Sequence, residues 1–218
     1  MQTDLIQEWH VLKGDKTLLR AMKSDKDCVT NYQAEQLKVA FKFCKTFRHA
    51  IDVGANYGLM SYNMSKKFKN VSSFEIVPEI NYCLKLNVKK FKLTNVDVYD
   101  CGLGEKEEFV SLNFDPENTF STHVDLNNSL KNIKIKNLDS FNFVDIDFIK
   151  IDAEGFESFI INGGIETIKT YLPVILYERK GHDLRYGLEK NVVLDILKEY
   201  GYRELDHIGS KNALIGVI

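Results

Sequence analysis

The chain has 218 residues, 44% hydrophobic and 28% charged, and 29 basic against 31 acidic side chains leave a net charge of -2. That length accommodates one domain with a sizeable core, and the balanced charge argues against a general nucleic-acid binder, which usually shows a basic excess, while leaving room for a local basic patch. No apolar run approaches the ~20 residues that span a bilayer, MQTDLIQEWH lacks the basic start and apolar core of a secretory signal, and Cys28, Cys44, Cys83 and Cys101 form no Cys-x-x-Cys pair, so reduced thiols in a cytoplasmic protein are expected.

In chain order, EWHVLKGDKTLLRAM places Gly14-Asp15 between two apolar segments and reads as a hairpin or loose cap. NYQAEQLKVAFKFCKTF sets Leu37, Ala40, Phe41 and Cys44 at helical spacing. AIDV is a short buried strand, YGLMSYNMSKKF a helix, VSSFEIV a strand, EINYCLKLNVKKF a helix opening just after Pro78, and VDVYD a third strand. From about Gly104 the pattern loosens: EEFVSLNF and KNIKIKNL read as strands around a loop, DPENTFSTHVDLNNS. Lys134 and Lys136 alternate, as on the wet face of a strand. IDFIKIDAEG is a strand ending in charges. A helix with Phe156, Phe159 and Ile160 on one face follows, closed by Gly163-Gly164. PVILYER is a strand, NVVLDILKEYG a helix, and YRELDH with NALIGVI a closing pair.

Strands alternating with helices imply a parallel sheet covered on both faces. Such sheets bind ligands at the carboxyl ends of their strands. Those ends carry Asp52, Glu75, Asp100, Asp152 with Glu154, and Glu178. Like charges crowded on one rim repel, so a cationic ligand is the economical account.

The turn Gly54-Ala55-Asn56-Tyr57-Gly58 narrows the choice. A dinucleotide pyrophosphate asks for Gly-x-Gly-x-x-Gly, so that backbone and phosphate meet closely. A side chain at Asn56 and a carboxylate at Asp52 both disfavour it. S-adenosylmethionine has no phosphate; it carries a sulfonium, an ammonium and a carboxylate. Gly54 and Gly58 are expected to let the backbone approach it, Asp52 to help hold the ammonium, and the helix start to receive the carboxylate. Glu75, 21 residues after Gly54, is placed to accept from both ribose hydroxyls. Asp100 or a nearby amide would meet the adenine amino group. The turn alone also suits a plain tight turn; two further acidic strand ends strengthen the reading.

IDVGANYG, FEIVPE, DCGLG, IKIDAEGFE and PVILYE, spanning about Ala50 to Glu178, resemble in order and spacing the FkbM-type methyltransferases. The resemblance implies an α/β, Rossmann-like fold with the seven-stranded class I methyltransferase sheet, mostly parallel with an antiparallel last strand and helices on both faces. It implies S-adenosyl-L-methionine as cofactor, S-adenosyl-L-homocysteine (SAH) as product, and O-methylation of hydroxyls on sugars and natural products. It maps Asp52, Gly54, Asn56, Gly58 and Glu75 to the cofactor site, with the flanking Ala55, Ile76, Asp100 and Cys101 and the nearby Asp152 completing the expected contacts. FEIVPE departs from the commoner Phe-Glu-Pro-x-Pro by one proline, a change in loop stiffness. The expected organisation is one methyltransferase domain over 1–218, with an N-terminal cap and helix over 1–48 and a β insertion over about 104–146.

A hydroxyl is a poor nucleophile at neutral pH and benefits from a base or a metal. Asp152 is expected nearest the transferred methyl, with Glu154 and Glu178 binding the acceptor and His182 a further candidate. Lys150, on the same strand face as Asp152, would neutralise it. Glu154 could instead be a helix cap, and Glu157 a first-turn acid favoured by the helix dipole. His123 and His182 fall in expected loops. The three carboxylates could take magnesium, although nothing in the spacing demands a metal. The expected partner is a small-molecule or glycan hydroxyl, with a homo-oligomer allowed. N-methylation of a nucleic acid or protein ranks lower, because Asp-Ala-Glu-Gly stands where Asn/Asp-Pro-Pro-Tyr would be needed. A nicotinamide-dependent oxidoreductase is disfavoured by Asn56, and a silent binding module by the intact acids.

Overall fold

The computed structural model describes residues 2–18, 33–190, 192–208 and 211–217; Cys28 lies outside them. The chain opens with a hairpin, β1 (Thr3–Ile6) and β2 (Trp9–Leu12). Its turn is Gln7-Glu8, both at positive φ (45° and 75°). The expected Gly14-Asp15 turn therefore falls after β2, not inside the hairpin. Helix α1 (Ala34–Phe41) is shorter than its apolar spacing suggests and stops before Cys44.

β3 (His49–Val53), α2 (Leu59–Ser65), β4 (Asn70–Phe74), α3 (Pro78–Lys90) and β5 (Val96–Tyr99) follow as anticipated. Next come four short strands: β6 (Gly102–Leu103), β7 (Glu108–Asn113), β8 (His123–Asp125) and β9 (Ile133–Lys136). They form a separate sheet in the order β6-β9-β7-β8. β8 and a 3-10 turn at Thr119–Ser121 occupy what the sequence presents as a loop. β10 (Ile146–Ile151) leads to α4 (Glu157–Asn162) and then α5 (Ile165–Tyr171). Gly163-Gly164 is thus a joint between two helices; the expected stop is followed at once by a second helix. β11 (Val174–Glu178), a 3-10 turn at His182–Tyr186, α6 (Val192–Lys198), β12 (Arg203–Ile208) and β13 (Asn212–Gly216) complete the chain.

The main sheet has seven strands in the order β12-β13-β11-β10-β3-β4-β5. β11, β10, β3, β4 and β5 are parallel, and β13, the last strand, runs antiparallel to both its neighbours. Every residue of β3 is buried, as a central parallel strand covered on two sides requires. Alternation sends Ile51, Val53, Ile149 and Ile151 into one core with Ile160, Ile168 and Leu197 of α4, α5 and α6. It sends Ala50 and Phe148 into the other, with Leu37 of α1 and Met60 and Met64 of α2. Helices therefore cover both faces.

The hairpin packs against α3 and the glycine turn through Trp9, Val11, Tyr57 and Ile80. Asn87 of α3 fixes it: its carbonyl accepts from His10 N (2.7 Å), and its amide donates to His10 O and Tyr57 O (both 2.9 Å). Cys44, Cys83 and Cys101 are free thiols. Among the described residues no helix is long and apolar enough to cross a membrane.

Candidate active site

A cavity of about 580 Å³ opens at the carboxyl ends of the parallel strands, within the range of roughly 300–1,000 Å³ usual for small-molecule sites. At one end lie Gly54, Asn56, Glu75 and Ile76; at the other, Asp152, Glu154 and Glu178. Leu103 of β6, Leu112 of β7 and Phe120 of the first 3-10 turn close the side facing the small sheet.

The glycine turn is shaped by protein contacts. Gly54 has φ +71°, and a Cβ there would lie 2.0 Å from the Asp152 carbonyl oxygen. Gly58 has φ +91°, and its Cβ would strike Leu84 of α3 at 2.5 Å. Both positions demand glycine, but to let β10 and α3 close in. Gly58 does not line the cavity, which corrects the expectation that it clears a ligand. Asn56 does line it, in the left-handed region at φ 49°, with its side-chain oxygen accepting from Tyr57 N at 2.8 Å.

Glu75, beside this turn, is buried, 4% exposed. One carboxylate oxygen accepts from Asn56 N (2.8 Å) and the other from Val77 N (2.9 Å). Burial raises its pKa to about 7, against those two bonds and the Lys150 charge. Each oxygen keeps a further lone pair, and the residue borders the cavity.

Asp52 is placed otherwise than expected. It has no exposure and does not border the cavity. Strand alternation turns it to the α2 face, where it accepts from Ser61 Oγ (2.5 Å) and pairs with Lys150 Nζ at 3.1 Å. Lys150 faces it in register across β3 and β10 and donates to Gly54 O (2.8 Å) and Val53 O (3.2 Å). Burial disfavours the ammonium, but Asp52, then Asp152, outweigh it and raise the Lys150 pKa. Lys150 thus neutralises Asp52 first, and the pair ties the turn to β10.

Asp100 and Cys101 also miss the cavity. The Asp100 side chain is 82% exposed and faces Lys85 at 3.7 Å, while Cys101 is packed in the core. Gly102 and Leu103, one step on, border the cavity in their place, as do Ala55 and Ile76.

The second group of acids is drawn together by two loops. After β10, Glu154 sits at φ 52° and Gly155 at φ +105°. A Cβ on Gly155 would lie 2.6 Å from the His182 backbone, so the bare glycine lets the two loops touch. Arg185 Nη1 holds Glu154 O at 2.6 Å. Glu154 is therefore no helix cap; Phe156 stands at that position. Lys180 pairs with Glu178 Oε1 and with Glu154 Oε1, the latter at 3.3 Å. His182 Nδ1 lies 2.7 Å from Glu154 Oε2 and 3.9 Å from Glu178 Oε2. Burial, then the Asp152 charge, raises the Glu178 pKa to about 8.

Glu157, the first residue of α4, is buried, and its carboxylate accepts from Ala153 N at 2.9 Å. It braces the loop that carries Asp152. Burial raises its pKa to about 7. Residues 52–204 match the family model of the methyltransferase FkbM domain.

The chain belongs to the FkbM methyltransferase family. This FkbM-family chain is 23% identical to Methyltransferase 1 of Beauveria bassiana over 141 residues, covering 52% of its own length and 57% of the relative's. Its fold is similar to the methyltransferase FkbM of Methylobacillus flagellatus KT, at TM-score 0.55 and 19% identity over 78% of this chain and 43% of that one. It is also similar to a Streptococcus mutans protein assigned as a methyltransferase and solved with SAH, at TM-score 0.52 and 12% identity over 85% and 98% of the two chains. The FkbM-family chain thus spans a little over half of the curated relative and less than half of the M. flagellatus protein. The fold is that of the Rossmann-like methyltransferases.

Sequence reasoning missed several cavity residues of this family member. Thr119, Phe120, Thr122 and Val124 come from the irregular middle segment, and Lys180 from the run after β11. His123, expected in a surface loop, lies in β8 and borders the cavity. Only Lys180 had a local signal, as the cation between acidic Glu178 and His182.

Proposed function

We propose that the protein is an S-adenosylmethionine-dependent methyltransferase whose acceptor is a hydroxyl on a sugar, glycan or small metabolite. The observation that carries this is one cavity joining a buried, amide-held carboxylate at Glu75 to a second set of acids at Asp152, Glu154 and Glu178. The Lys150 amine beside the turn is consumed by Asp52 and two carbonyls, so it is not free to hold a pyrophosphate. The donor set of the cofactor end suits a sulfonium ligand.

Glu75 would hold the ribose hydroxyls and Asn56 the neighbouring backbone. Ile76 and Leu103 supply apolar walls for a base. The cofactor would supply an electrophilic methyl on a cationic sulfur. Asp152, the acid of the second set whose backbone touches Gly54, would stand nearest that methyl and take the acceptor proton, while Glu154 and Glu178 orient the acceptor. The small β6–β9 sheet would serve as the insertion that shapes acceptor choice, in a single domain with the hairpin as its cap. The free thiols suit a cytoplasmic setting.

Calorimetry with S-adenosylmethionine and with NAD tests the cofactor, and preferential binding of NAD would overturn the reading. Transfer of labelled methyl to glycan, metabolite, protein and RNA pools tests the acceptor; label on nitrogen of protein or RNA would replace the hydroxyl assignment.

A further inference from the structure

The acceptor end leaves two buried polar atoms without a hydrogen-bond partner among the described residues. Lys180 takes the Oε1 atoms of Glu178 and Glu154. Their Oε2 atoms turn away from it, toward His182 Nδ1. The Glu178 side chain is only 8% exposed, yet its Oε2 has no hydrogen-bond partner among the described residues, and the buried His182 Nδ1 has none either. The 2.7 Å approach of Nδ1 to Glu154 Oε2 is not aligned as a hydrogen bond. Buried polar atoms are ordinarily satisfied, so two orphans facing one another mark a missing partner. Both sit among acceptor atoms, and the partner that satisfies a cluster of acceptors is a cation.

Glu154, Glu178 and His182 each offer one ligand atom, and these lie within 4.8 Å of one another. A cation held at about 2.0–2.2 Å by three donors needs them roughly 3–4 Å apart, and the separations from Nδ1 are 2.7 and 3.9 Å. The charge also fits. With Glu154 and Glu178 ionised, as metal ligands must be, they and Asp152 against Lys180 leave two negative charges, which one divalent ion offsets. An imidazole nitrogen beside two carboxylates favours a first-row transition ion such as manganese or zinc over magnesium, which prefers oxygen alone. Lys180, bonded to the outer oxygens, orients both carboxylates, as partners of metal ligands usually do.

The geometry points to a divalent metal site formed by Glu154 Oε2, Glu178 Oε2 and His182 Nδ1 at the acceptor end of the cavity. Three protein donors leave open positions, the arrangement of a site that receives a substrate. Glu154 and Glu178 border the cavity, and His182 lies behind them without bordering it. The ligand that fits there is an acceptor with two adjacent oxygen donors, a vicinal diol or an α-hydroxy carbonyl. This choice of acceptor rests on the proposed methyl transfer; the metal site itself does not.

The test uses the full chain stripped with chelator and titrated with Mn²⁺, followed by loss of the free-ion paramagnetic resonance signal, and with Co²⁺, followed by visible absorption. One equivalent is expected to bind. Glu178→Gln and His182→Ala should each weaken binding by about tenfold or more, while Glu75→Ala, at the far end, should bind metal as the wild type does. Thermal melts check folding, and His182→Ala alters the more exposed ligand should Glu178→Gln fold poorly. Absence of binding at about 1 mM metal, weak by the standard of dedicated sites, would overturn the site. So would an affinity unchanged in His182→Ala. S-adenosylmethionine binding is measured separately: cofactor binding without metal binding removes only the site, and metal binding without cofactor binding removes only the methyltransferase reading.

Discussion

Glu75 and Asp152 make separable demands on the cavity. The Glu75 carboxylate is desolvated and held by two backbone amides. Its remaining lone pairs can serve only a ligand in the cavity. Glu75→Gln keeps the volume but turns an acceptor into a donor on one side, so S-adenosylmethionine affinity should fall at least tenfold, about 1.4 kcal/mol by calorimetry. Asp152 is half-buried on the connecting loop, with its amide bonded to Val53 O at 3.1 Å. Asp152→Asn should leave cofactor affinity within about threefold while turnover falls by about a hundredfold, the usual worth of a positioned base. Equal turnover in the variant would move the base elsewhere in the acid group.

At the scale of elements, one buried side chain joins three segments distant in sequence. Asp15, just after β2, accepts from Tyr57 Oη of the glycine turn (2.5 Å), Thr119 Oγ1 of the cavity-lining 3-10 turn (2.9 Å) and Thr17 (2.5 and 2.8 Å). Asp15→Ala would strand the Tyr57 and Thr119 hydroxyls in the interior, at a cost of about 3 kcal/mol. The expected result is a lower melting temperature and faster proteolytic cleavage around 115–123, with cleavage elsewhere little changed. None of this was legible in the sequence, because such a contact depends on where loops fold back and not on any spacing. The parallel strands were legible, since β3 and β10 are mostly apolar, as strands lying between helix layers are. So were the acidic strand ends, though not their directions. Asp52 faces α2 because alternation pairs it with Lys150 in the neighbouring strand, and Asp100 points outward because β5 is an edge strand whose end is open to water. Gly163-Gly164 read as a terminus because glycine ends helices more often than it links them, whereas close packing explains it here: a Cβ on Gly163 would meet Gly104 O at 1.9 Å.

The molecule as a whole carries acids away from water, and this sets how its stability varies with pH. Burial raises the pKa of Glu75 and of Glu157 from 4.5 to about 7. The unfolded chain releases these protons near the ordinary value, while the folded chain keeps them until about 7. Between the two values the folded state binds more protons, so stability falls as pH rises. The contribution is intact below 4.5 and gone above 7. Asp147 works the other way: against the cost of burial, Arg48 and Thr46 hold its pKa below the usual value, so its contribution disappears only in stronger acid. The ligand-free protein should therefore melt at a higher temperature at pH 5.5 than at pH 8. Glu157→Gln isolates the effect, because Glu157 braces the Asp152 loop without bordering the cavity. The neutral amide can still accept from Ala153 N but has no charge to desolvate, so the variant should flatten the decline, by about 2 kcal/mol between the two pH values. Melting curves across pH 5–8 that run parallel for wild type and variant would show that Glu157 ionises as freely in the fold as in water.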